Sequence, residues 1–177
     1  MQPQAESIGG NILMGRTAPA VDKEKPPRPR MRRARPADAA ALSRLAYDSK
    51  ASWGYDDAFM EACRAELTIS AADLEARNAF VVACGESLLG FYLLKMDGPC
   101  AEVWDFFMAA EAMGSGLGGR LWRHLEATAR RCGAACIGVD SDPNAEGFYR
   151  KMGLRRCGEA PSLSIPGRML PRLEKEL

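Results

Sequence analysis

Four glycines fall within six residues: Gly114, Gly116, Gly118 and Gly119, in the run Met113-Gly114-Ser115-Gly116-Leu117-Gly118-Gly119-Arg120. Glycine lacks a Cβ, so an anion can approach its backbone closely. A helix opening directly after such a turn adds unpaired N–H groups and a partial charge of about +0.5. The chemistry is phosphate binding by backbone, and the glycine density exceeds what a tight turn alone needs. Gly114, Gly116 and Gly119 also satisfy G-x-G-x-x-G, with Asp140 roughly 20 residues further on, as in a dinucleotide site. That reading fails on context. The fingerprint should follow its strand directly within a first βαβ unit, whereas Ala109 to Met113 intervene and the motif stands two-thirds along the chain. A P-loop needs Lys and Ser/Thr after its last glycine, and Arg120-Leu121 do not supply them.

Other groups can carry proton chemistry. Glu102 and Asp105 stand in one strand-like run, Ala101–Met108. Strict alternation points them to opposite faces unless a bulge intervenes. Tyr149 offers a phenol, a donor with a pKa near 10. The single histidine, His124, falls at the edge of a helical apolar stripe, where a packing role outweighs a catalytic one. Trp53-Gly54-Tyr55 serve either as core or as an aromatic bracket for a bound amine. The six cysteines show no C-x-x-C spacing, so no metal site is expected. A chain of this size needs no staples, which predicts reduced thiols in a cytoplasmic protein.

These residues need elements to position them. Residues 31–35 read as a first strand, and Pro36-Ala37-Asp38 opens a helix. Asp56 caps a second helix carrying Phe59, Cys63 and Leu67, and 68–78 reads as a turn of helix followed by loop. Ala79–Cys84, Leu88–Met96 and Ala101–Met108 are strand-like runs separated by turn signals, a predicted antiparallel meander. The glycine turn starts a helix whose inner face is Leu117, Leu121, Leu125, Thr128 and Cys132, ended by Gly133. Cys136–Val139 is a strand parallel to its predecessor. Asn144 caps a short helix reaching Met152, Leu154–Gly158 is another strand, and Met169–Leu173 a last one limited by Pro171. The class is α+β with a mixed sheet.

Length and charge bound the function. The 177 residues form one domain, with residues 1–30 predicted as a disordered extension, being proline-rich and free of aromatics, and residues 31–177 as the folded part. Removing the extension should leave activity intact. The net charge of +1 argues against a nucleic-acid partner, and no apolar run is long enough to span a membrane. A monomer or homodimer is expected.

The strand, glycine turn and helix of Phe106–Gly119, followed by Asn144-Ala145-Glu146-Gly147-Phe148-Tyr149-Arg150-Lys151-Met152-Gly153-Leu154, resemble the GNAT superfamily of acetyl-coenzyme A-dependent N-acetyltransferases. The element order matches over about 31–177. Met113 stands where the family carries Arg or Gln, and Ala110 where it usually carries proline. The resemblance implies a parallel pair of strands splayed at the cofactor site, with acetyl-coenzyme A as cosubstrate. It implies cofactor contacts at Phe106, Met108, Met113, Gly114, Ser115, Gly116, Gly118, Gly119 and Asn144. The N–H of Met108 becomes a donor to the thioester oxygen. Glu102 is the first candidate for general base, with Asp105 or water as competitors, and Tyr149 is the candidate proton donor to the leaving thiolate. The implied reaction is direct acetyl transfer to a primary amine of a small-molecule or peptide acceptor. The alternative is a coenzyme A-binding or regulatory module without turnover.

Overall fold

Turn chemistry sets the element boundaries throughout residues 28–177, the part that the computed structural model describes. The proposed extension at residues 1–30 lies almost wholly outside the described residues. Strand β1 (Arg30–Arg33) leads through a short 3-10 turn at Pro36–Asp38 into α1 (Ala39–Ala51). Asp38 secures that turn by pairing with Arg32 at 2.7 Å and accepting from the Arg35 N–H. The Asp56 side chain caps α2 (Asp57–Cys63) through the N–H of Phe59. The stretch read as turn and loop contains α3 (Ala71–Ala76), which begins in a reciprocal capping box between Ser70 and Asp73. That Ser-x-x-Asp signal was available in the sequence.

Strands β2 (Asn78–Cys84), β3 (Ser87–Asp97) and β4 (Cys100–Met108) form the predicted meander. Helix α4 (Leu117–Arg131) crosses to β5 (Cys136–Asp140), which runs parallel to β4. Helix α5 (Glu146–Lys151), β6 (Arg155–Pro161) and β7 (Met169–Glu176) complete a seven-stranded sheet in the order β1-β2-β3-β4-β5-β7-β6. The last strand is therefore interior and longer than predicted. Pro171 stops only one of its ladders: the pairing with β5 ends at Arg172, while Pro171 still faces Glu159 on β6.

The sheet separates two apolar clusters. Leu121, Trp122, Leu125 and Ala129 of α4 pack with Tyr149 of α5 on one face, and Leu42, Leu45, Met60 and Leu74 of α1–α3 pack on the other. Cys132 is exposed, so the inner stripe of α4 ends at Ala129. Trp122, which the predicted stripe omitted, is buried and donates its indole N–H to Glu126 at 3.0 Å.

The expectation of six reduced thiols is corrected. Cys100 and Cys136 face each other in register across β4 and β5 and form a disulfide. Adjacent strands bring their Cα atoms to 4.6 Å, within disulfide reach, which sequence spacing cannot show. The compartment argument built on reduced thiols loses that support. Among the described residues, no helix is long and apolar enough to cross a membrane.

Two irregularities of β4 shape everything downstream. Its parallel pairing with β5 stops after Glu102↔Gly138. Its pairing with β3 skips a residue, since Leu93 faces Asp105 and Leu94 faces Val103, which leaves Trp104 as the extra residue of a bulge. Ala101 and Val103 therefore share a cluster with Phe106 and Met108, a change of parity that unbroken alternation forbids, while Phe107 turns to the opposite face.

Candidate active site

Beyond Glu102 the two parallel strands diverge, and a cleft of about 990 Å³ opens between them. The edge of β4 inside this gap is unpaired. Strand N–H groups alternate in direction, and the N–H of Ala109 bonds the carbonyl of Leu89 on the β3 side at 3.0 Å. By that alternation the N–H groups of Phe106 and Met108 point into the gap. Phe106 is fixed among Trp122, Phe148 and Tyr149, with ring centroids 5.8, 5.3 and 6.3 Å away.

At one end of the cleft lies the glycine turn. Gly114 and Gly116 take φ of +74° and +83°, the left-handed region where a side chain is strained. Gly116 is the N-cap of α4, with no side chain capping the helix. Among the described residues, the N–H groups of Gly116, Gly118 and Gly119 have no backbone partner, and that of Leu117 has only the Ser115 hydroxyl at 3.4 Å. A Cβ at Gly114, Gly116 or Gly119 would meet nothing within 4 Å, so the backbone is open to an anion. At Gly118 a Cβ would lie 3.5 Å from the ring of Phe148, so this glycine serves helix packing as well. These groups fit a pyrophosphate. Met113 lines the cleft with an apolar side chain and offers no charge to an anion.

Asp105 enters the cleft at the bulge. It is 8% exposed, and burial pushes its carboxyl up to about 7; the charge of Arg77 opposes the rise, while Asp73 and Glu66 add to it. Among the described residues no hydrogen bond engages its carboxylate, yet none of their side-chain oxygens or nitrogens is buried without a partner, so its oxygens open onto the cleft. Tyr149 is buried on the opposite wall. Burial, with help from the charges of Asp105 and Asp142, raises its phenol well above the ordinary value.

Glu102 is placed differently. Both its oxygens are held by Arg172 of β7, Oε2 by Nη1 at 2.7 Å and Oε1 by Nη2 at 2.6 Å. The guanidinium reaches across β5 because Gly138 leaves room: a Cβ there would fall on Arg172 and within 2.8 Å of Glu102 Oε1. Glu102 does not line the cleft, and neither does Ser115, whose hydroxyl donates to the Ala112 carbonyl at 2.6 Å. Phe106, Met108, Met113, Gly114, Gly116, Gly118, Gly119, Asn144 and Tyr149 all line it. His124 does not; its Nδ1 pairs with the Tyr92 hydroxyl at 2.9 Å, and burial lowers its pKa.

Asn144 does not cap α5. Asp142 instead caps the 3-10 turn Pro143–Ala145 that leads into α5, accepting from the N–H of Asn144 at 3.0 Å, while the Asn144 side-chain amide donates to the Tyr55 hydroxyl. Asp142 also accepts from Tyr55 at 2.9 Å and pairs with Lys50 and Arg168. Burial pushes its carboxyl up, but the Asn144 backbone N–H, Tyr55 and Lys50 overcome this and the net displacement is downward. Sequence reasoning missed this network, although Asp142-Pro143 is a recognisable helix-start signal. Trp53, 43% exposed on the cleft wall, is no core wedge. Tyr55 instead stacks on Phe59, with centroids 4.1 Å apart.

The family model for the acetyltransferase (GNAT) family matches residues 42–154. Among solved structures, a GCN5-related N-acetyltransferase from Rhodopseudomonas palustris aligns with a TM-score of 0.68 at 23% identity, over 86% of this chain and 98% of that one. The PaiA N-acetyltransferase of Thermoplasma acidophilum, solved with coenzyme A, gives 0.66 at 18% identity, over 85% and 99%. The N-acetylglutamate synthase of Neisseria gonorrhoeae, solved with coenzyme A and N-acetylglutamate, gives 0.62 at 18% identity, over 86% of this chain and 36% of that one. No curated protein matches in sequence.

Proposed function

The chain belongs to the acetyltransferase (GNAT) family and is an acyltransferase, and on that footing we propose that it moves the acetyl group of acetyl-coenzyme A directly onto a primary amine. The observation that carries this reading is one cleft in which an unpaired strand edge, a phosphate-ready glycine turn, a carboxyl without a hydrogen-bond partner and a buried phenol meet. The solved relatives with bound coenzyme A support the choice of cosubstrate.

Acetyl-coenzyme A supplies the activated acyl group. The N–H groups of Gly116 to Gly119 hold its pyrophosphate, with little help from a net charge of only +1. The N–H groups of Phe106 and Met108, with the Asn144 amide, pair with the pantetheine arm. The Met108 N–H donates to the thioester oxygen as negative charge builds there. Asp105 acts as the general base in place of Glu102, because Arg172 already occupies both oxygens of Glu102. Asp105 accepts the amine proton as the C–N bond forms. Tyr149 donates its proton to sulfur as the C–S bond breaks, and its raised pKa keeps it protonated beforehand.

A thermal-shift titration with acetyl-coenzyme A, followed by a thiol-release assay over an amine panel, tests this. Saturation at 100 times Kd should stabilise the protein by about 2.7 kcal/mol. No stabilisation overturns the reading, and stabilisation without thiol release from any amine favours the coenzyme A-binding module.

A further inference from the structure

The cleft wall built by α1, the turn after β5 and the β6–β7 loop carries an unbalanced charge. Lys50 Nζ lies 3.2 Å from Asp142 Oδ2, and Arg168 Nη2 lies 3.3 Å from the same oxygen. The three side chains are only 12%, 16% and 14% exposed for Lys50, Arg168 and Asp142. Two desolvated cations thus share one carboxylate. Glu66 also lines the cleft, but its exposed carboxylate accepts from Ser164 and forms no ion pair with either cation. The rings of Tyr55 and Phe59 lie under the Arg168 guanidinium at 5.2 and 4.8 Å, which lessens the cost of its burial without cancelling the charge.

Arg168 is also held ready. Its carbonyl accepts from the Ser162 N–H at 2.8 Å, its own N–H bonds the Ile165 carbonyl at 3.2 Å, and Ile165 packs on the core. Both side-chain bonds of Arg168, to Tyr55 and to Asp142, use Nη2, which leaves Nη1 and Nε without a side-chain partner among the described residues. A pre-positioned guanidinium with free donors suits a planar carboxylate. A surplus of one positive charge matches a monoanion better than a phosphate dianion.

We infer that the acceptor is an amino acid: Arg168 and Lys50 take its carboxylate while Asp105 takes the proton of its amine. This rests on the acetyl-transfer reading of the same cleft. The test compares each of the twenty amino acids with its own carboxamide, in a thiol-release assay on the full chain with acetyl-coenzyme A. A carboxamide keeps the shape and removes the charge. For the amino acid turned over best, kcat/KM should exceed that of its amide by at least about 10-fold, the worth of a charge-assisted hydrogen bond. Arg168→Gln should bring that ratio close to 1, and Arg168→Lys should retain part of it, with the Kd for coenzyme A serving as the check on folding.

Equal or better use of amides, preference for polyamines, or a ratio indifferent to Arg168→Gln overturns the inference while leaving acetyl transfer in place. If no amino acid turns over, calorimetry on the complex with coenzyme A decides, and absence of binding by all twenty also overturns it. Failure to bind acetyl-coenzyme A removes the acetyl-transfer reading, and this inference with it.

Discussion

Replacing Asp105 by Asn should inactivate the protein and stabilise it at the same time. Burial moves the Asp105 carboxyl from 3.8 up to about 7 in the folded state. A carboxyl whose folded value lies above its unfolded one contributes stability that is complete below pH ~4 and is lost as pH rises through about 7. The gap between 3.8 and about 7, at about 1.4 kcal/mol per pH unit, sets a ceiling of roughly 4 kcal/mol on that loss. Asn carries no charge at any pH. Urea denaturation at pH 8 should therefore find Asp105→Asn more stable than the parent by up to ~4 kcal/mol, with the difference closing near pH 4. Activity runs the other way. Only the carboxylate can accept a proton, so the parent kcat/KM should rise roughly nine-fold between pH 6 and 8, as the ionised fraction goes from about 10% to about 90%. The variant should lose about 10²-fold or more in kcat and lack this limb. Arg77→Gln removes the cation that opposes the rise, so the limb should move to higher pH. A variant that keeps the parent rate and pH profile, or that loses stability at pH 8, refutes the assignment of Asp105.

Tyr149→Phe should lower kcat by about 10²-fold while leaving the Kd for coenzyme A unchanged, and calorimetry beside steady-state kinetics separates the two. An unchanged kcat removes Tyr149 from the reaction. Gly116→Ala forces a side chain into φ +83° at the N-cap of α4 and places a methyl in the space left for the phosphates. It should cost about 1 kcal/mol of stability and raise the Kd for coenzyme A, measured by urea denaturation and calorimetry. The disulfide between Cys100 and Cys136 closes a loop with a sequence separation of 36. Replacing both cysteines by serine should lower stability by about 4 kcal/mol relative to the oxidised parent and change little relative to the reduced one.

Much of the fold was legible because local chemistry marks it. The meander followed from turn residues between β-rich runs, and α2 and α4 from Asp56 and Gly133, which sit where a cap and a C′ glycine belong. The conformation of the glycine turn was legible for a related reason: glycine spacing marks where the backbone can turn left-handed, and Gly114 and Gly116 do so at the cleft. What escaped depends on contacts distant in sequence. Cys100 and Cys136 meet only because β4 and β5 are in register. Arg168 lies in a loop with no periodicity, and its partners Tyr55 and Asp142 are 113 and 26 residues away.

The choice of base shows how one missing residue of register propagates. Counting along β4 with strict alternation separates Glu102 from Asp105 by face, so a sequence reading must choose between them on other grounds. The skipped partner at Trp104 reverses the parity, so residues after the bulge keep company with the opposite set before it. Both carboxylates are thereby compatible with one face, and their neighbours decide between them. Glu102 sits where β4 and β5 are still paired, opposite a glycine whose missing Cβ admits Arg172. Asp105 sits three residues on, where β5 has left and no cation has taken its place at hydrogen-bond distance. The same divergence that opens the cleft withholds a partner from Asp105. A carboxyl poised near neutrality is thus a consequence of the splay, while Glu102, on the paired side, is held by Arg172.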